Sequence, residues 1–412
     1  MIKVAFGSVP KDGGTFTFYR NLRPVLKQHG VDLRCVTVGK RERALVEKAY
    51  VDDGCVLLAS EIGSIKKQAQ VFSDWCDREN IDVVMAINSV AILSALPHLS
   101  KQVRVLSRCA NGFEEGYRIT LSGQDRLMRI IALTPRLKRD LVENYGVEEQ
   151  IIHLVPNGIN PATFASAAMR VRAMPENKPV QLGFVGRLEH KQKGVLYLPK
   201  IVEALARLGV DFRLRIAGKG VHRAVLEKAL ASYIKAGKVE FLGAIAKDEV
   251  PTFLEATDVF LFTSHFEGCP NALLEAMMAG CVPVALLIDG ITDFIIDSGR
   301  TGFVAPMSDC AAVARYVADL INDREQLRCV SAAAAAEARG RFTSEVAARR
   351  YAHQLRSVMQ SSLPAFDPLP WSQFAVDPVY QKRLTGYIPK MVKAPIKSAM
   401  KSPMLAGYFQ RP

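Results

Sequence analysis

Short apolar runs rich in β-branched residues alternate with longer helix-like segments along this chain, and no other feature restricts its fold as strongly. Such an order is typical of parallel α/β sheets that are built from strand–helix–strand units. The segment 15–30 follows the first run and ends at Gly30, as a helix with a glycine stop does. The runs predicted as strands are residues 2–6, 31–39, 81–87, 103–107, 129–133, 151–156, 180–186, 212–218, 239–243, 259–264, 281–288 and 302–306.

A polar segment that contains proline interrupts this alternation at residues 165–179, and a new series of strands begins at Val180. We expect the boundary between two α/β domains there, because such boundaries fall in exposed, polar linkers. The length of 412 residues also favours two domains, at about 150 residues for each. The predicted domains are 1–170 and 171–345, followed by a C-terminal region, 346–412.

The chain carries a formal net charge of +13, which indicates an anionic partner such as a phosphate, a nucleic acid or an acidic membrane surface. Basic residues are concentrated in residues 1–50 and after Asp377. Residues 380–411 place apolar side chains between lysines, so this segment is expected either to lie on an anionic membrane or to pack loosely on the protein body. The eight cysteines form no C-x-x-C pair, and we expect reduced thiols.

Several signals are missing from the sequence. No window approaches the length of a membrane span, and the opening MIKVAFG lacks the regions of a secretory signal, so we expect a cytoplasmic protein. The sequence also lacks a D-x-D pair and a G-x-x-x-x-G-K-[ST] loop, which would indicate a metal site or a nucleotide triphosphatase. The missing D-x-D pair predicts that no metal is required, and we expect no cofactor.

Three basic residues, Arg187, Lys191 and Lys193, follow the predicted strand 180–186, which ends at Gly186. Ligands of parallel α/β sheets bind beyond the carboxyl ends of the strands, so these cations are expected to face a crevice. Arg187 offers a planar fork of donors and Lys193 a mobile point charge, and both suit a diphosphate. A solvated basic loop is the alternative interpretation.

The stretch HFEGCPNALLEAMMAGCVPVA contains two carboxylates on either side of a predicted helix start. Proline is favoured in a first helical turn, so Pro270 and Asn271 mark the beginning of a helix that ends near Gly280. Glu267 then precedes the helix, and Glu275 lies in its second turn. The helix N-terminus can receive an anion and each carboxylate can accept hydrogen bonds from hydroxyl groups, whereas local capping and a surface position are the alternatives for either acid.

The same stretch, written E-G-x-P-N-x-L-L-E-A-M-x-x-G-x-P-V, resembles the retaining glycosyltransferases of family 4 in the GT-B superfamily, together with upstream G-R-L and K-G pairs. The match extends from Val180 to Val304. The resemblance implies a GT-B architecture, in which two Rossmann-like domains face each other across a cleft and C-terminal helices return to the first domain. It assigns residues 1–170 to acceptor binding, 171–345 to nucleotide-sugar binding, and 346–412 to crossover helices and a basic tail.

The resemblance also implies roles for individual residues. Arg187 and Lys193 would bind the diphosphate and stabilise the leaving nucleotide. Glu267 would hold the hydroxyls of the donor sugar, and Glu275 would accept hydrogen bonds from the ribose hydroxyls. The further positions implied in donor binding are Gly13, Gly14, Gly186, Gly218, Gly268, Pro270, Asn271, Ala272 and Leu273.

Other segments match the family less closely. The spacing of G-R-L and K-G leaves two candidates for the family lysine, and we favour Lys193 over Lys191 because a glycine follows it. The segment DGITD, residues 289–293, stands where the family has G-G-x-x-E. Asn157 and Gly158 resemble a pre-linker segment and are expected to shape a turn rather than to contact substrate.

On the N-terminal side, family members often have a histidine near the end of a strand, whereas this chain has Arg108 and Asn111. These two residues are predicted to lie on the acceptor side of the cleft. His265 lies two residues before Glu267 and is a third candidate for that side, the alternative being a histidine packed in a loop.

The resemblance predicts transfer of a sugar from a UDP- or GDP-linked donor to a hydroxyl of a glycan or lipid-linked saccharide, in bacterial envelope or surface polysaccharide synthesis. The expected partners are this nucleotide-diphosphate sugar, the acceptor and an anionic membrane surface, on the cytoplasmic face of the inner membrane. A nucleic acid is not expected, because no aromatic and basic motif of a known reader occurs. The alternatives are a GT-B relative of other chemistry, such as a sugar-nucleotide epimerase or a phosphorylase, and a non-catalytic sugar-nucleotide sensor.

Overall fold

The computed structural model describes residues 1–11, 13–164, 178–363 and 366–384, which contain two β-sheets. The first sheet consists of β1 (Ile2–Gly7), β2 (Val31–Val38), β3 (Val56–Leu58), β4 (Val83–Ala86), β5 (Arg104–Cys109), β6 (Leu127–Ala132) and β7 (Ile152–Leu154). The second consists of β8 (Val180–Val185), β9 (Phe212–Ala217), β10 (Val239–Gly243), β11 (Val259–Phe262), β12 (Val282–Leu286) and β13 (Phe303–Ala305). The strand orders are β3-β2-β1-β4-β5-β6-β7 and β10-β9-β8-β11-β12-β13, and all neighbouring strands are parallel.

Helices connect these strands. Before residue 165 they are α1 (Gly14–Gln28), α2 (Lys40–Arg43), α3 (Lys48–Asp52), α4 (Ile65–Glu79), α5 (Val90–Ala95), α6 (Glu114–Thr120) and α7 (Pro135–Tyr145). After residue 177 they are α8 (His190–Lys193), α9 (Tyr197–Arg207), α10 (Arg223–Ala229), α11 (Ala231–Lys235), α12 (Val250–Glu255), α13 (Asn271–Met278), α14 (Thr292–Ile295), α15 (Cys310–Asn322), α16 (Arg324–Arg341), α17 (Ser344–Gln360) and α18 (Pro378–Leu384). Short 3-10 turns occupy Leu96–His98, Gln124–Arg126, Glu149–Ile151, Pro161–Phe164 and Trp371–Gln373.

Both sheets are covered on their two faces. Every residue of β4, β11 and β12 is buried, which explains why these strands are continuous apolar runs rather than alternating ones. The strand order reverses between β1 and β4 in the first sheet and between β8 and β11 in the second. Ligands of open parallel sheets bind beyond the carboxyl ends of the strands at such a reversal, so the fold directs a ligand to the cleft between the two sheets.

The chain returns to the first sheet after the second is complete. In α17, the ring of Tyr351 lies 5.3 Å from the ring of Phe18 in α1. Arg104 of β5 donates from Nε to the carbonyl of Val358 at 2.9 Å. Both aromatic side chains are buried, so α17 is part of the core of the first domain. The predicted return of the C-terminal helices is confirmed.

The α/β fold predicted from the alternation is also confirmed, and each predicted strand overlaps an observed one. The sequence prediction missed β3, whose residues are only partly buried. Most of the predicted boundary segment, 165–179, lies outside the described residues, as does the tail 385–412, so the domain ranges stay a prediction. Among the described residues, no helix is both long and apolar enough to cross a membrane.

Candidate active site in the cleft between the sheets

A cavity of about 310 Å³ lies in the cleft. Its walls are the start of α1 and the segment after β5 on one side, and α8 and the loop before α13 on the other. More than half of the predicted site residues line it. The lining residues are Gly14, Thr15, Arg108, Ala110, Asn111, Gly112, Phe113, Leu133, Asn157, Gln192, Lys193, Phe266, Glu267, Gly268, Cys269, Pro270, Asn271 and Ala272.

The charged centre of this cavity is an ion pair. Lys193 Nζ lies 2.6 Å from Glu267 Oε1, and the two side chains are only 19% and 11% exposed. Ser264 Oγ donates to the same carboxylate oxygen at 3.0 Å, and Gln192 Nε2 donates to the other at 3.5 Å. Because water is largely excluded, each charge depends on the other for compensation.

The position of Lys193 follows from the glycine that ends α8. Gly194 has a φ of +60°, and a Cβ there would lie 1.9 Å from the carbonyl oxygen of Thr263, so only glycine fits. Thr263 Oγ1 in turn donates to the Lys193 carbonyl at 2.8 Å. These contacts tie α8 to the end of β11 and direct Lys193 into the cavity, whereas Lys191 is exposed.

The loop between β11 and α13 presses against the first domain. A Cβ on Gly268 would lie 1.8 Å from the carbonyl oxygen of Ala110, so this close approach requires glycine. Thr134 Oγ1, beyond β6, donates to the Gly268 carbonyl at 3.1 Å. Helix α13 begins directly after this loop, and the first two residues of the helix, Asn271 and Ala272, line the cavity. The first N–H groups of a helix have no partner within the helix and can bind an anion.

Asn157 connects the two domains at the buried end of the cavity. It is 6% exposed and donates from Nδ2 to the Cys269 carbonyl at 3.2 Å and to Asn271 Oδ1 at 2.7 Å. Its Oδ1 accepts a 2.6 Å hydrogen bond from Arg108 Nη2. The Arg108 guanidinium lies over the ring of Phe18, 4.0 Å from its centre. Asn157 therefore does more than the turn formation predicted for it.

A second cavity, of about 800 Å³, lies on the other side of the first turns of α1 and α13. Glu275 lines it, together with Lys247 beyond β10, and Lys247 Nζ donates to Thr17 Oγ1 at 2.8 Å. Burial raises the pKa of Glu275, and the nearby charge of Lys247 acts in the opposite direction. The two cavities share a wall, because Gly14 and Ala272 line the first while Thr17 and Glu275 line the second.

Two family models match this chain. Residues 12–163 match the model described as Glycosyltransferase Family 4, and residues 179–323 match the model described as Glycosyl transferases group 1. Together they cover most of the chain, including both cavities. The chain belongs to glycosyltransferase family 4. The resemblance seen in the stretch around Glu267 and Glu275 is thereby confirmed, and so is the enzyme class.

Curated relatives of this glycosyltransferase are also glycosyltransferases. It is 30% identical over 204 residues to the 2-deoxystreptamine glucosyltransferase of Streptomyces kanamyceticus, a match that covers 48% of this chain and 52% of the relative. It is 27% identical over 224 residues to the putative colanic acid biosynthesis glycosyltransferase WcaL of Salmonella typhimurium, with coverage of 53% and 54%. The chain spans about half the length of the curated relatives it matches.

Solved structures share the fold of this glycosyltransferase over most of its length. A glycosyltransferase from Rickettsia africae has a TM-score of 0.69 at 16% identity, covering 88% of this chain and 99% of that one. The Anabaena protein HepE, in complex with UDP, has a TM-score of 0.70 at 18% identity, covering 87% and 100%. At such identities the likeness concerns the fold alone, and it confirms the predicted GT-B architecture.

Some predicted site residues of the glycosyltransferase lie beside the cavity rather than in its lining. Arg187 is exposed and donates from Nη2 to Gln192 Oε1 at 2.5 Å, so it reaches the cavity through Gln192. The ring of His265 bonds to the Lys191 carbonyl and to the Tyr197 hydroxyl, each at 3.1 Å. His265 therefore packs against α8, in agreement with the alternative interpretation of a histidine packed in a loop.

The predicted glycines and Leu273 have different surroundings. Gly13 has a φ of +152° at the start of α1, with open space where a Cβ would lie. A Cβ on Gly218 would lie 1.8 Å from the carbonyl oxygen of Gly186, so these two glycines allow two turns of the second domain to pack together. Leu273 is buried in the core and donates its N–H to the Pro270 carbonyl at 3.1 Å, which places it away from the cavity despite its predicted role.

Three residues that sequence reasoning did not select complete the site. Gln192 contacts both Arg187 and Glu267, and its position between the two candidate lysines is a signal that could have identified it. Asn157 lies three positions after the last strand of the first sheet, in a region where ligand-binding residues are common. Lys247 has no such signal, because its place near Glu275 depends on how the loop after β10 folds.

Proposed function

We propose that this glycosyltransferase moves a sugar, with retention of its anomeric configuration, from a nucleotide-diphosphate donor to a hydroxyl of a glycan or lipid-linked saccharide. The observation that carries this proposal is the pair of cavities that share the first turns of α1 and α13. The smaller contains Lys193 and Glu267 and suits a sugar, and the larger contains Glu275 and suits a nucleoside. Their common wall is formed by the first turns of two helices, and helix N-termini favour phosphate.

Charge stabilisation is the main contribution that these residues make to transfer. The bond between the anomeric carbon and the phosphate oxygen breaks, and negative charge grows on the departing diphosphate. Lys193 and Arg187 are the cations proposed to meet this charge, and Lys193 would exchange Glu267 for phosphate. Glu267 would then accept hydrogen bonds from the sugar hydroxyls. Opening of the one ion pair therefore provides a partner for the phosphate and a partner for the sugar of the donor.

The proposed route needs no protein base. The ionisable side chains of the described lining are those of Arg108, Lys193, Glu267 and Cys269. Burial raises the pKa of the Cys269 thiol to about 11, and Glu267 is proposed to be occupied by the hydroxyls of the donor sugar. The leaving phosphate oxygen therefore takes the acceptor's proton while the acceptor oxygen bonds to the anomeric carbon from the same face. Attack from that face gives retention, as the resemblance to the retaining family implies.

The donor and the pathway are proposed on the likeness to other proteins. The proposed donor is a UDP- or GDP-sugar, and the likeness to HepE, solved with UDP, supports uridine. The relative named for colanic acid biosynthesis supports a role in envelope or surface polysaccharide synthesis. We also propose that transfer is independent of metal. Within the described ranges, His, Cys, Asp and Glu side chains form no group of three that could hold a metal ion, so cationic side chains are proposed to neutralise the diphosphate.

Calorimetric titration with UDP, GDP, ADP and CMP, each in the presence of a chelator, tests the proposal. One nucleoside diphosphate is expected to bind the wild type, and Arg187→Ala should weaken it about tenfold, the value of a hydrogen bond to a charged group. NMR of the product should show the anomeric configuration of the donor. Binding of no nucleotide, binding that requires a divalent metal, or an inverted product would each contradict the corresponding part of the proposal.

A further inference from the structure

Arg108 carries an uncompensated charge into the smaller cavity. It lies at the end of β5, is 5% exposed, and lines the cavity together with Lys193 and Glu267. Lys193 and Glu267 neutralise each other at 2.6 Å. Among the described residues, no carboxylate forms an ion pair with Arg108. The lining therefore has an excess of one positive charge, and that charge belongs to Arg108.

The Arg108 guanidinium is also held in place with most of its hydrogen bonds unmade. In the part of the chain that the structure describes, its Nη2 donates to Asn157 Oδ1 at 2.6 Å, the neutral, buried hydroxyl of Tyr351 lies beside the group, and Nε is buried without a partner. The stack on Phe18, 4.0 Å from the ring centre, fixes the plane of the group. A buried charge without a counter-ion is costly. A fixed and unpaired guanidinium therefore indicates a site that an anion completes.

We propose that Arg108 recognises a carboxylate on the transferred sugar, so that the donor is a nucleotide-diphosphate uronic acid. The inference rests on the proposed function. A hexuronosyl group offers hydroxyls to Glu267 and one carboxylate to Arg108, and a guanidinium can bind a carboxylate through two parallel hydrogen bonds. The cavity of about 310 Å³ is small for a ligand pocket, which suits a single monosaccharide.

A donor phosphate is the other anion that Arg108 could meet, and the position of Arg108 argues against it. The phosphates have donors of their own at the first turns of α1 and α13, and they have Arg187 and Lys193 as cations. Asn157 lies between Arg108 and Asn271, the first residue of α13. The side chain of Asn157 therefore lies between Arg108 and the first turn of α13, where the phosphates are proposed to bind, and the proposal assigns Arg108 to the sugar instead.

Matched donor pairs test this inference. UDP-glucose is compared with UDP-glucuronate, and GDP-mannose with GDP-mannuronate, because each pair differs only in a hydroxymethyl group and a carboxylate. Free UDP and GDP are titrated alongside. The wild type is expected to bind the acidic member of one pair about tenfold more tightly than the neutral member, because a hydrogen bond between charged groups contributes about this much to affinity. In Arg108→Gln this preference should disappear, while affinity for the free nucleoside diphosphate stays as in the wild type.

Two further variants separate charge from shape and from folding. Arg108→Lys keeps the charge without the planar fork and should retain part of the preference. Arg104→Gln removes a guanidinium from the other end of β5, where it bonds to the carbonyls of Val358 and Met359, and it should leave the preference intact. Thermal melting shows whether each variant is folded. If an Arg108 variant does not fold, the inference is tested by the affinities of the wild type for the acidic and neutral donors.

Equal wild-type affinity for the neutral and acidic members of both pairs would overturn the inference. So would a loss of UDP or GDP affinity in folded Arg108→Gln, because that result would assign Arg108 to the phosphate. If the wild type binds neither free UDP, free GDP nor any donor of the panel, the proposed function fails, and this inference fails with it. The free nucleotides therefore distinguish the two failures.

Discussion

The ion pair between Lys193 and Glu267 has to open before a donor can bind as proposed. Both side chains are largely buried, so neither charge can remain uncompensated for long. A donor supplies both replacements at once, because its phosphate competes for Lys193 and its sugar hydroxyls compete for Glu267. A fragment that carries only one of these groups leaves the other charge unpaired, so binding and catalysis are expected to depend on the two residues in different ways.

Glu267→Gln should separate nucleotide binding from sugar transfer. The amide removes the partner of Lys193 and frees it for phosphate, so affinity for the nucleoside diphosphate should equal or exceed that of the wild type. The transfer rate should fall about 100-fold, because hydroxyl contacts that strengthen in the transition state are weakened. Calorimetry and steady-state rates measure the two effects. Glu189→Gln, at the start of the helix that carries Lys193 but outside both cavity linings, is the control for removal of an acid. A loss of nucleotide affinity in Glu267→Gln as large as its loss of transfer rate would contradict the interpretation.

Glu275→Gln should stabilise the free protein while weakening nucleotide binding. Burial raises the pKa of Glu275 above its ordinary value of 4.5. The contribution of this carboxyl to stability is therefore complete below pH 4.5 and is lost as the pH rises through the raised value. Relative to the wild type, the melting temperature of Glu275→Gln should be higher at pH 8, and this difference should shrink toward pH 4. Affinity for the nucleotide should fall about tenfold at pH 8.

The sign of the stability change is the test for Glu275. A melting temperature at pH 8 that is lower in Glu275→Gln than in the wild type would show that the carboxylate stabilises the free protein, contrary to this prediction. Unchanged nucleotide affinity would remove Glu275 from the proposed nucleoside cavity. Asp248→Asn changes another acid that lines the same cavity, and it separates the effect of this one carboxylate from that of general charge removal.

Helix α13 shows which parts of the site a sequence can predict. Its start after Pro270 follows from local signals, and the structure begins it at Asn271 as expected. Asn157 could not be assigned in this way, because its partners lie 49, 112 and 114 positions away in the sequence. The lack of an ion-pair partner for Arg108 could not be predicted from the sequence either, because it depends on every residue that packs around Arg108. Strand β3 was missed for another reason, because three residues are too few to show a period.

Gly268→Ala should disrupt the loop before α13. The added methyl group would meet the Ala110 carbonyl at 1.8 Å, so the loop must move away from the first domain. We expect transfer to fall at least about 100-fold and the free energy of unfolding to fall by about 1–3 kcal/mol. Gly63→Ala is the matched control, because a Cβ there meets no atom within 4 Å. Rates close to those of the wild type in Gly268→Ala would show that the loop does not need this contact.

At the scale of the whole molecule, the cleft is held closed by contacts between the domains. The Arg136 N–H donates to the Gly290 carbonyl at 3.3 Å, and Arg139 forms an ion pair with Asp289. The DGITD segment, which stands where the family has G-G-x-x-E, therefore contacts α7 of the first domain. The Lys247 contact with Thr17 bridges the same cleft beside the second cavity. Thr17 and Lys247 both line the second cavity, so a donor bound there contacts both sides of this bridge, and its binding should stabilise both domains together.

The end of the described chain is fixed to the first domain. The ring of Trp371 lies 4.4 Å from that of His98, and Tyr380 donates from its hydroxyl to the Asn88 carbonyl at 2.9 Å. Ser122 hydrogen-bonds to the carboxylate of Asp377. A truncation at Asp377 would remove the buried Tyr380 and damage the body of the protein. The basic segment is therefore better tested by a truncation after residue 384.

Deletion of residues 385–412 should weaken membrane binding and leave transfer intact. The deletion removes four lysines, one arginine and no acid, so the net charge falls from +13 to +8. Each basic residue near an anionic surface contributes about 1 kcal/mol, so partition into phosphatidylglycerol vesicles should drop at least about tenfold. Binding to neutral phosphatidylcholine vesicles and the rate on a water-soluble acceptor should not change. A full-length variant with these five residues replaced by glutamine should match the deletion if charge is the cause, whereas unchanged vesicle binding in both would show that the segment is not a membrane anchor.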